Sequence, residues 1–324
     1  MSEISQNSKK NVVVTGANGF LGTALVRELL SCQEYNVYAV TSSNKTRLEA
    51  NDRLTLIQCG MNEYSRLSDI LSEKSCVNPT MFFHLAWQGA SGTDRTNWKF
   101  QADSASGTIQ ALETAHELGA GKFIAAGTVY ENVPVLPDVH ASPETKAAAS
   151  FKAGDFYILS KKYAHEMANQ LALKLSLPFV WCTFFHPIGR YIKDNQMMAY
   201  TIKSLLSGET PQFGPAKKTP YDIISVKDVA YGLRLAGETI LQDRAYYIGS
   251  GNPRLLSEYL LETCRILDVE TPVETDVRPD DGMRFNFGWF DTSAFMEESG
   301  FRPRLSFREA VLETAEYIRS GLSS

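Results

Sequence analysis

Apolar positions along the chain fall into short β-branched runs separated by longer stretches with helical spacing. The first run, residues 11–15, ends at Gly16 and leads into the pattern Leu21, Leu25, Leu29, Leu30, which reads as strand, turn and helix. Further apolar runs at residues 37–40, 54–57, 81–85, 122–126 and 179–184 alternate with helix-like stretches at 64–71, 98–118 and 156–175. Strands that are apolar throughout and alternate with helices predict a parallel sheet covered on both faces, an α/β doubly wound domain. After Pro187 the texture changes, and glycines and prolines punctuate shorter elements. The pattern predicts a domain over residues 1–186, with some later segments, 220–250, rejoining it, and a smaller lobe over 187–324. No Gly/Ser linker separates them, so a site between two tightly joined lobes is expected.

Composition narrows the function. The 324 residues are 44% hydrophobic and 21% charged, enough apolar material for a large core. A formal charge of −5 leaves no excess of cations to hold a nucleic-acid backbone or an anionic membrane, so neither is an expected partner. Five cysteines occur without CxxC spacing, which predicts reduced, mostly buried thiols and no metal site. Residues 1–10 are polar, without the apolar core of a signal peptide, and the longest apolar run, 175–185, is interrupted by Pro178. The expectation is a cytoplasmic protein.

The first turn carries chemistry. Gly16, Gly19 and Gly22 stand three residues apart between a strand and a helix, the arrangement in which a dinucleotide pyrophosphate meets a helix N-terminus. Asn18, Phe20 and Leu21 belong to the same cofactor-binding turn. An NAD site has Asp or Glu about twenty residues further on to accept the ribose hydroxyls. Here the second strand runs into Thr41, Ser42, Lys45 and Arg47, without a carboxylate. These residues favour the 2′-phosphate of NADP, with NAD as the alternative.

Tyr157 and Lys161 lie four residues apart, on one face of a predicted helix. A cation near a phenol favours its ionised form and brings it toward proton exchange at neutral pH. With 14 tyrosines in the chain, on the order of one such pair is expected by chance. This pair follows the fifth strand of a dinucleotide fold, where the nicotinamide belongs.

Taken together, Gly16 to Gly22, His84 to Ala86, Gly127 to Tyr130 and the Tyr157/Lys161 pair resemble the extended short-chain dehydrogenase/reductases. More narrowly, they resemble the branch of nucleotide-sugar epimerases, dehydratases and ketoreductases. The resemblance continues through Phe185 to Pro187, Phe213 and Gly214, Tyr221 to Asp228 and Arg278 to Asp281, and so covers nearly the whole chain. It implies a Rossmann-like domain with a C-terminal substrate-binding lobe, and a homodimer paired through helices 98–118 and 156–175. It further implies Tyr157 as general acid/base, Lys161 on the nicotinamide ribose lowering the phenol's pKa, and Leu85, Ala86 and Pro187 at the cofactor. Trp87, Thr128, His186, Gln196, Phe213, Tyr221, Arg278 and Asp281 would face a nucleotide sugar.

The chain also departs from that branch. Ala126 stands where a serine or threonine usually holds the reacting sugar oxygen, so Thr128 is the expected substitute. Gly127 and Thr128 replace the Asp and Glu of the 4,6-dehydratases, which disfavours that reaction. Tyr221 and His186 replace an arginine and an asparagine near the substrate diphosphate. The reading that results is an NAD(P)-dependent ketoreductase acting at a ring carbonyl, C4, of a nucleotide-linked deoxy sugar or heptose. A 4-epimerase is the alternative, and a non-catalytic dinucleotide-binding protein a second one.

Overall fold

The computed structural model describes residues 9–135, 142, 151–270, 272–280 and 284–322. In chain order, β1 (Lys10–Thr15), α1 (Phe20–Ser31), β2 (Tyr35–Thr41) and β3 (Leu54–Gln58) are followed by α2 (Leu67–Glu73), β4 (Met81–His84), α3 (Trp98–Glu117) and β5 (Phe123–Ala126). Then come α4 (Asp155–Lys174), β6 (Phe179–Thr183), β7 (Pro187–Ile188), α5 (Met197–Leu206), β8 (Pro220–Tyr221), β9 (Ile224–Ser225), α6 (Val226–Glu238) and β10 (Ala245–Tyr247). The chain continues through β11 (Arg254–Leu255), α7 (Leu256–Leu267), α8 (Ser293–Ser299) and α9 (Phe307–Leu322).

Seven strands form one sheet in the order β10-β6-β5-β4-β1-β2-β3, every neighbouring pair parallel. Side chains alternate between its faces as the pleat requires. Val12 and Val14 join a core that includes Leu25 and Leu29 of α1 and Val229 and Leu233 of α6. Val13 faces the opposite core, with Leu112 of α3 and Ala164 and Ala168 of α4. Alanines on α4 let it approach the sheet closely. The segment at 64–71 begins earlier than its apolar spacing suggests, as a 3-10 turn at Met61–Arg66 closed by Glu63, whose Oε2 accepts from the Gly60 N–H at 3.2 Å.

A third core, with Ile202 of α5, Leu260 of α7 and Val311 of α9, belongs to the other lobe. The strand order reverses between β1 and β4, and a doubly wound sheet opens a ligand crevice at that point, outside the C-terminal strand ends. Among the described residues no helix is long and apolar enough to cross a membrane.

Candidate active site

At the crevice, β1 ends in Thr15 and β4 in His84, paired in register. Thr15 Oγ1 lies 2.9 Å from His84 Nδ1, and Thr108 Oγ1 lies 3.1 Å from Nε2. Burial, reinforced by the charge of Lys161, pushes the His84 imidazole down to about 3, so it is a neutral hydrogen-bonding strut. Beyond Thr15, Gly16 turns with φ +67°, and a Cβ there would lie 2.6 Å from the Ala86 nitrogen. A Cβ on Gly22 would come within 2.1 Å of the Gly16 carbonyl oxygen. Gly19 begins α1 with no side chain capping it, leaving the N–H groups of Phe20 and its neighbours for an anion. This cradle, which a methyl group at either position would fill, fits a dinucleotide pyrophosphate.

Asn18 ties the cradle to the segment after β2. Its Nδ2 donates to the Lys45 carbonyl at 2.8 Å, and its Oδ1 accepts from the Arg47 N–H at 2.7 Å. Thr41 is buried and closes the loop by donating to the Ser43 carbonyl at 2.8 Å. Ser42, Lys45 and Arg47 are exposed, and the Arg47 guanidinium lies 5.0 Å from the Tyr191 ring centre.

Tyr157 and Lys161, on the first two turns of α4, are 6% and 5% exposed, and both line a cleft of about 430 Å³ with Gly16, Gly19, Leu85 and Pro187. Lys161 Nζ donates to the Ala126 carbonyl at 2.7 Å and stands 3.7 Å above the Trp87 ring. Trp87 is fixed in turn, its Nε1 donating to Gln101 Oε1 at 2.8 Å. Burial brings the Lys161 ammonium down to about 7 against the opposing charge of Glu131. The cation seated against Tyr157 is a different one, Arg95, 4.7 Å from the centre of that ring and equally far from Tyr130. Burial raises the Tyr157 phenol, while Arg95 and a hydrogen bond with Thr128 pull it back.

Two residues of this constellation were not singled out in the sequence. Arg95 sits in a polar loop, and nothing in its spacing marks it as turned inward. The loop itself is anchored: Arg95 Nε donates to the Ala90 carbonyl at 2.9 Å and Gln101 Nε2 to that of Gly89 at 2.9 Å. Glu131 had a signal, since a threonine three residues before a glutamate is a capping box. Glu131 Oε1 accepts from the Thr128 N–H at 2.8 Å. The same carboxylate accepts from Trp181 Nε1 at 3.2 Å and meets His165 Nδ1 at 3.0 Å. It therefore holds Thr128 in place beneath the phenol.

On the other wall, His186 adopts φ +43° and packs against Tyr221 at 4.7 Å between ring centres. Its imidazole is pushed down to about 3 by burial and the charge of Arg95. His186 Nε2 and Gln196 Oε1 are buried without a hydrogen-bond partner among the described residues, and both residues line the cleft. Tyr221 lines it too and is shared with an adjoining cavity, which Phe213 and Arg278 line. The expected substrate-side residues thus divide between the cleft, with Trp87, Thr128, His186 and Gln196, and its neighbour. Asp281 lies outside the described residues.

Residues 12–249 match the model of the NAD dependent epimerase/dehydratase family, and the chain belongs to that family. Across 95% of its length it is 24% identical to a UDP-glucose 4-epimerase of Mycolicibacterium smegmatis, 98% of which is covered. It is also 24% identical, across 96% of its length, to a dTDP-glucose 4,6-dehydratase of Actinoplanes sp., again over 98% of the relative. The crystal structure of Thermus thermophilus UDP-glucose 4-epimerase in complex with NAD shares the fold, with a TM-score of 0.76 at 19% identity over 95% of this chain and 99% of that one.

Proposed function

We propose that the chain is an NAD(P)-dependent oxidoreductase of a nucleoside-diphosphate sugar, exchanging hydride at a ring carbon, with reduction of a C4 ketone as its net reaction. The observation that carries this reading is the joining, in one cleft, of a glycine cradle at a helix N-terminus with the buried phenol of Tyr157. The sugar diphosphate is supported by the names of the two relatives and by the adjoining cavity, where Phe213 offers an aromatic edge and Arg278 a cation.

A nicotinamide bound over Gly16, Gly19 and Gly22 supplies the hydride acceptor or donor. Tyr157 gives its proton to, or takes one from, the oxygen on the reacting carbon. Thr128 hydrogen-bonds that phenol and supplies the hydroxyl that Ala126 lacks. Lys161, held by the Ala126 carbonyl at 2.7 Å, carries its ammonium to the cofactor ribose. Its charge, balanced near pH 7 by burial, makes it responsive to a ligand that brings an acceptor. His186 Nε2 and Gln196 Oε1 find their partners on the substrate. Water is excluded by Trp87 and Tyr130, whose rings lie 6.1 and 6.3 Å from that of Tyr157.

Among the described residues no Asp or Glu lines the cleft, and Gly127 and Thr128 stand where the 4,6-dehydratases carry theirs, which argues against elimination of water. The segment after β2 offers Ser42, Lys45 and Arg47 and no carboxylate, which supports exchangeable NADP(H) over NAD. Epimerisation at C4 is the second reading, favoured by the epimerase relative. The working unit in our reading is a homodimer, because α4 leaves Tyr163 and Met167 exposed one turn apart. Co-purification with both nicotinamides and a panel of nucleoside-diphosphate sugars, read by mass spectrometry, tests the assignment. The expected result is one nicotinamide and one sugar nucleotide retained; retention of neither contradicts it. Cofactor that survives dialysis selects the epimerase.

A further inference from the structure

Arg95 has no acidic partner where one is most needed. Among the described residues it forms no ion pair, whereas Arg234 pairs with Glu28 at 3.0 Å and Glu238 at 2.7 Å, and Arg254 with Glu262; Arg53 and Arg244, also without an ion pair, each place more than one guanidinium nitrogen on oxygen acceptors, of Leu30, Cys32 and Tyr35 and of Asn169. A guanidinium remains charged in any protein environment, and a cation withdrawn from water without a counter-charge is costly to keep. The contacts of Arg95 offset only part of that cost. Nε is satisfied by the Ala90 carbonyl at 2.9 Å, the guanidinium shares a hydrogen bond with the Tyr130 side chain, and it lies 4.7 Å from the ring centres of both Tyr130 and Tyr157.

The position of the charge says what it waits for. The cofactor pyrophosphate belongs at the start of α1, and the substrate diphosphate beside Arg278 in the adjoining cavity. The ring of Tyr157, against which Arg95 is seated, is in this reading where the reacting sugar carbon must lie. Among the described residues the cleft is lined by three cations, Arg95, Lys161 and Lys193, and by no carboxylate. Lys161 is held at the Ala126 carbonyl and assigned above to the cofactor ribose, and Lys193 is exposed. Arg95 is thus a partly buried positive charge at the sugar end of the site, with a planar fork suited to a carboxylate.

Resting on the oxidoreductase reading above, we propose that the sugar carries a carboxylate on a ring carbon next to the reacting one, a nucleoside-diphosphate uronic acid, and that Arg95 binds that carboxylate. Arg95 is then a specificity-determining residue. It rejects neutral sugars because they cover the guanidinium and leave it unpaired.

The test is calorimetric binding of UDP-glucuronic acid and UDP-glucose, and of their thymidine counterparts, to cofactor-loaded wild type, Arg95→Met and Arg95→Lys. Circular dichroism and thermal unfolding verify that each variant folds. The wild type should bind the uronic acid roughly 10- to 100-fold tighter than the neutral sugar. That ratio should collapse to about one in Arg95→Met and be partly kept in Arg95→Lys, which retains the charge without the fork. A wild type that binds the neutral sugar equally well or better overturns the proposal. So does an Arg95→Met variant that weakens both ligands by the same factor, which would make Arg95 only a support for Tyr157. Binding of the neutral sugar with normal turnover leaves the oxidoreductase reading standing while the uronic acid falls. Failure of every sugar nucleotide to bind removes both.

Discussion

Lys161 directs its ammonium to the carbonyl of Ala126, 2.7 Å away. This backbone contact places the lysine of α4 against the end of β5 and leaves the side-chain position of Ala126 free of any polar role. The hydroxyl beside the phenol comes from Thr128, which Glu131 secures through a 2.8 Å bond to its N–H. Replacing Glu131 with Gln should therefore disturb Thr128, Trp181 and His165 together.

Lys161 gives a pH signature. Its folded value is lowered to about 7 from 10.5, so between those values the unfolded chain holds a proton that the folded chain has released. Stability then rises with pH across that window. Lys161→Met should lose this rise, unfold at a higher temperature than wild type at pH 7, and bind cofactor more weakly. Thermal unfolding of the cofactor-free proteins from pH 6 to 10 measures it; parallel curves would count against a buried, depressed lysine.

His84 and His186 act at the acid end. Both are lowered to about 3, so below the ordinary histidine range the unfolded chain binds protons that the folded chain excludes. Stability should fall as pH drops from about 6.5 toward 3, by up to about 1.4 kcal/mol per pH unit for each group. Urea unfolding at pH 7, 6 and 5 shows the slope, and His84→Gln should remove its share.

Gly127 cannot be made a dehydratase residue. A Cβ there would lie 2.1 Å from Trp181 Nε1, the group that donates to Glu131. Gly127→Asp should destabilise the protein by about 1–3 kcal/mol and produce no elimination of water. Denaturant unfolding and product analysis decide it; a stable variant with dehydratase activity would show that the carboxylate, and not the space for it, was what the chain lacked.

Gly22→Ala forces a methyl group to within 2.1 Å of the Gly16 carbonyl oxygen. Because the cradle and the helix start share that contact, the variant should lose cofactor affinity by about tenfold or more while remaining folded. Titration with NADPH and NADH reads the loss. Unchanged affinity for both would move the pyrophosphate elsewhere.

Much of this was legible in the sequence because the signals were local. Apolar runs marked β1 to β6, glycines at spacing three marked the cradle, and the four-residue interval put Tyr157 and Lys161 on one helical face. What was illegible depended on distant contacts. Spacing suggested that Lys161 would be the cation acting on the phenol, whereas the residue against the Tyr157 ring is Arg95, brought inward from a loop 62 positions earlier by its bond to Ala90. The division of Phe213 and Arg278 from His186 and Gln196 likewise depends on how the lobes close around Tyr221, which no periodicity encodes.

The most direct test is a single-turnover absorbance measurement on cofactor-loaded protein mixed with its sugar nucleotide, wild type beside Tyr157→Phe. With both ligands bound equally well by the two proteins, the nicotinamide signal should change in the wild type and slow by about 10²- to 10⁴-fold in the variant. An equal rate in Tyr157→Phe, or a wild type that binds both ligands with no change in absorbance, would contradict the assignment of that phenol as the proton donor.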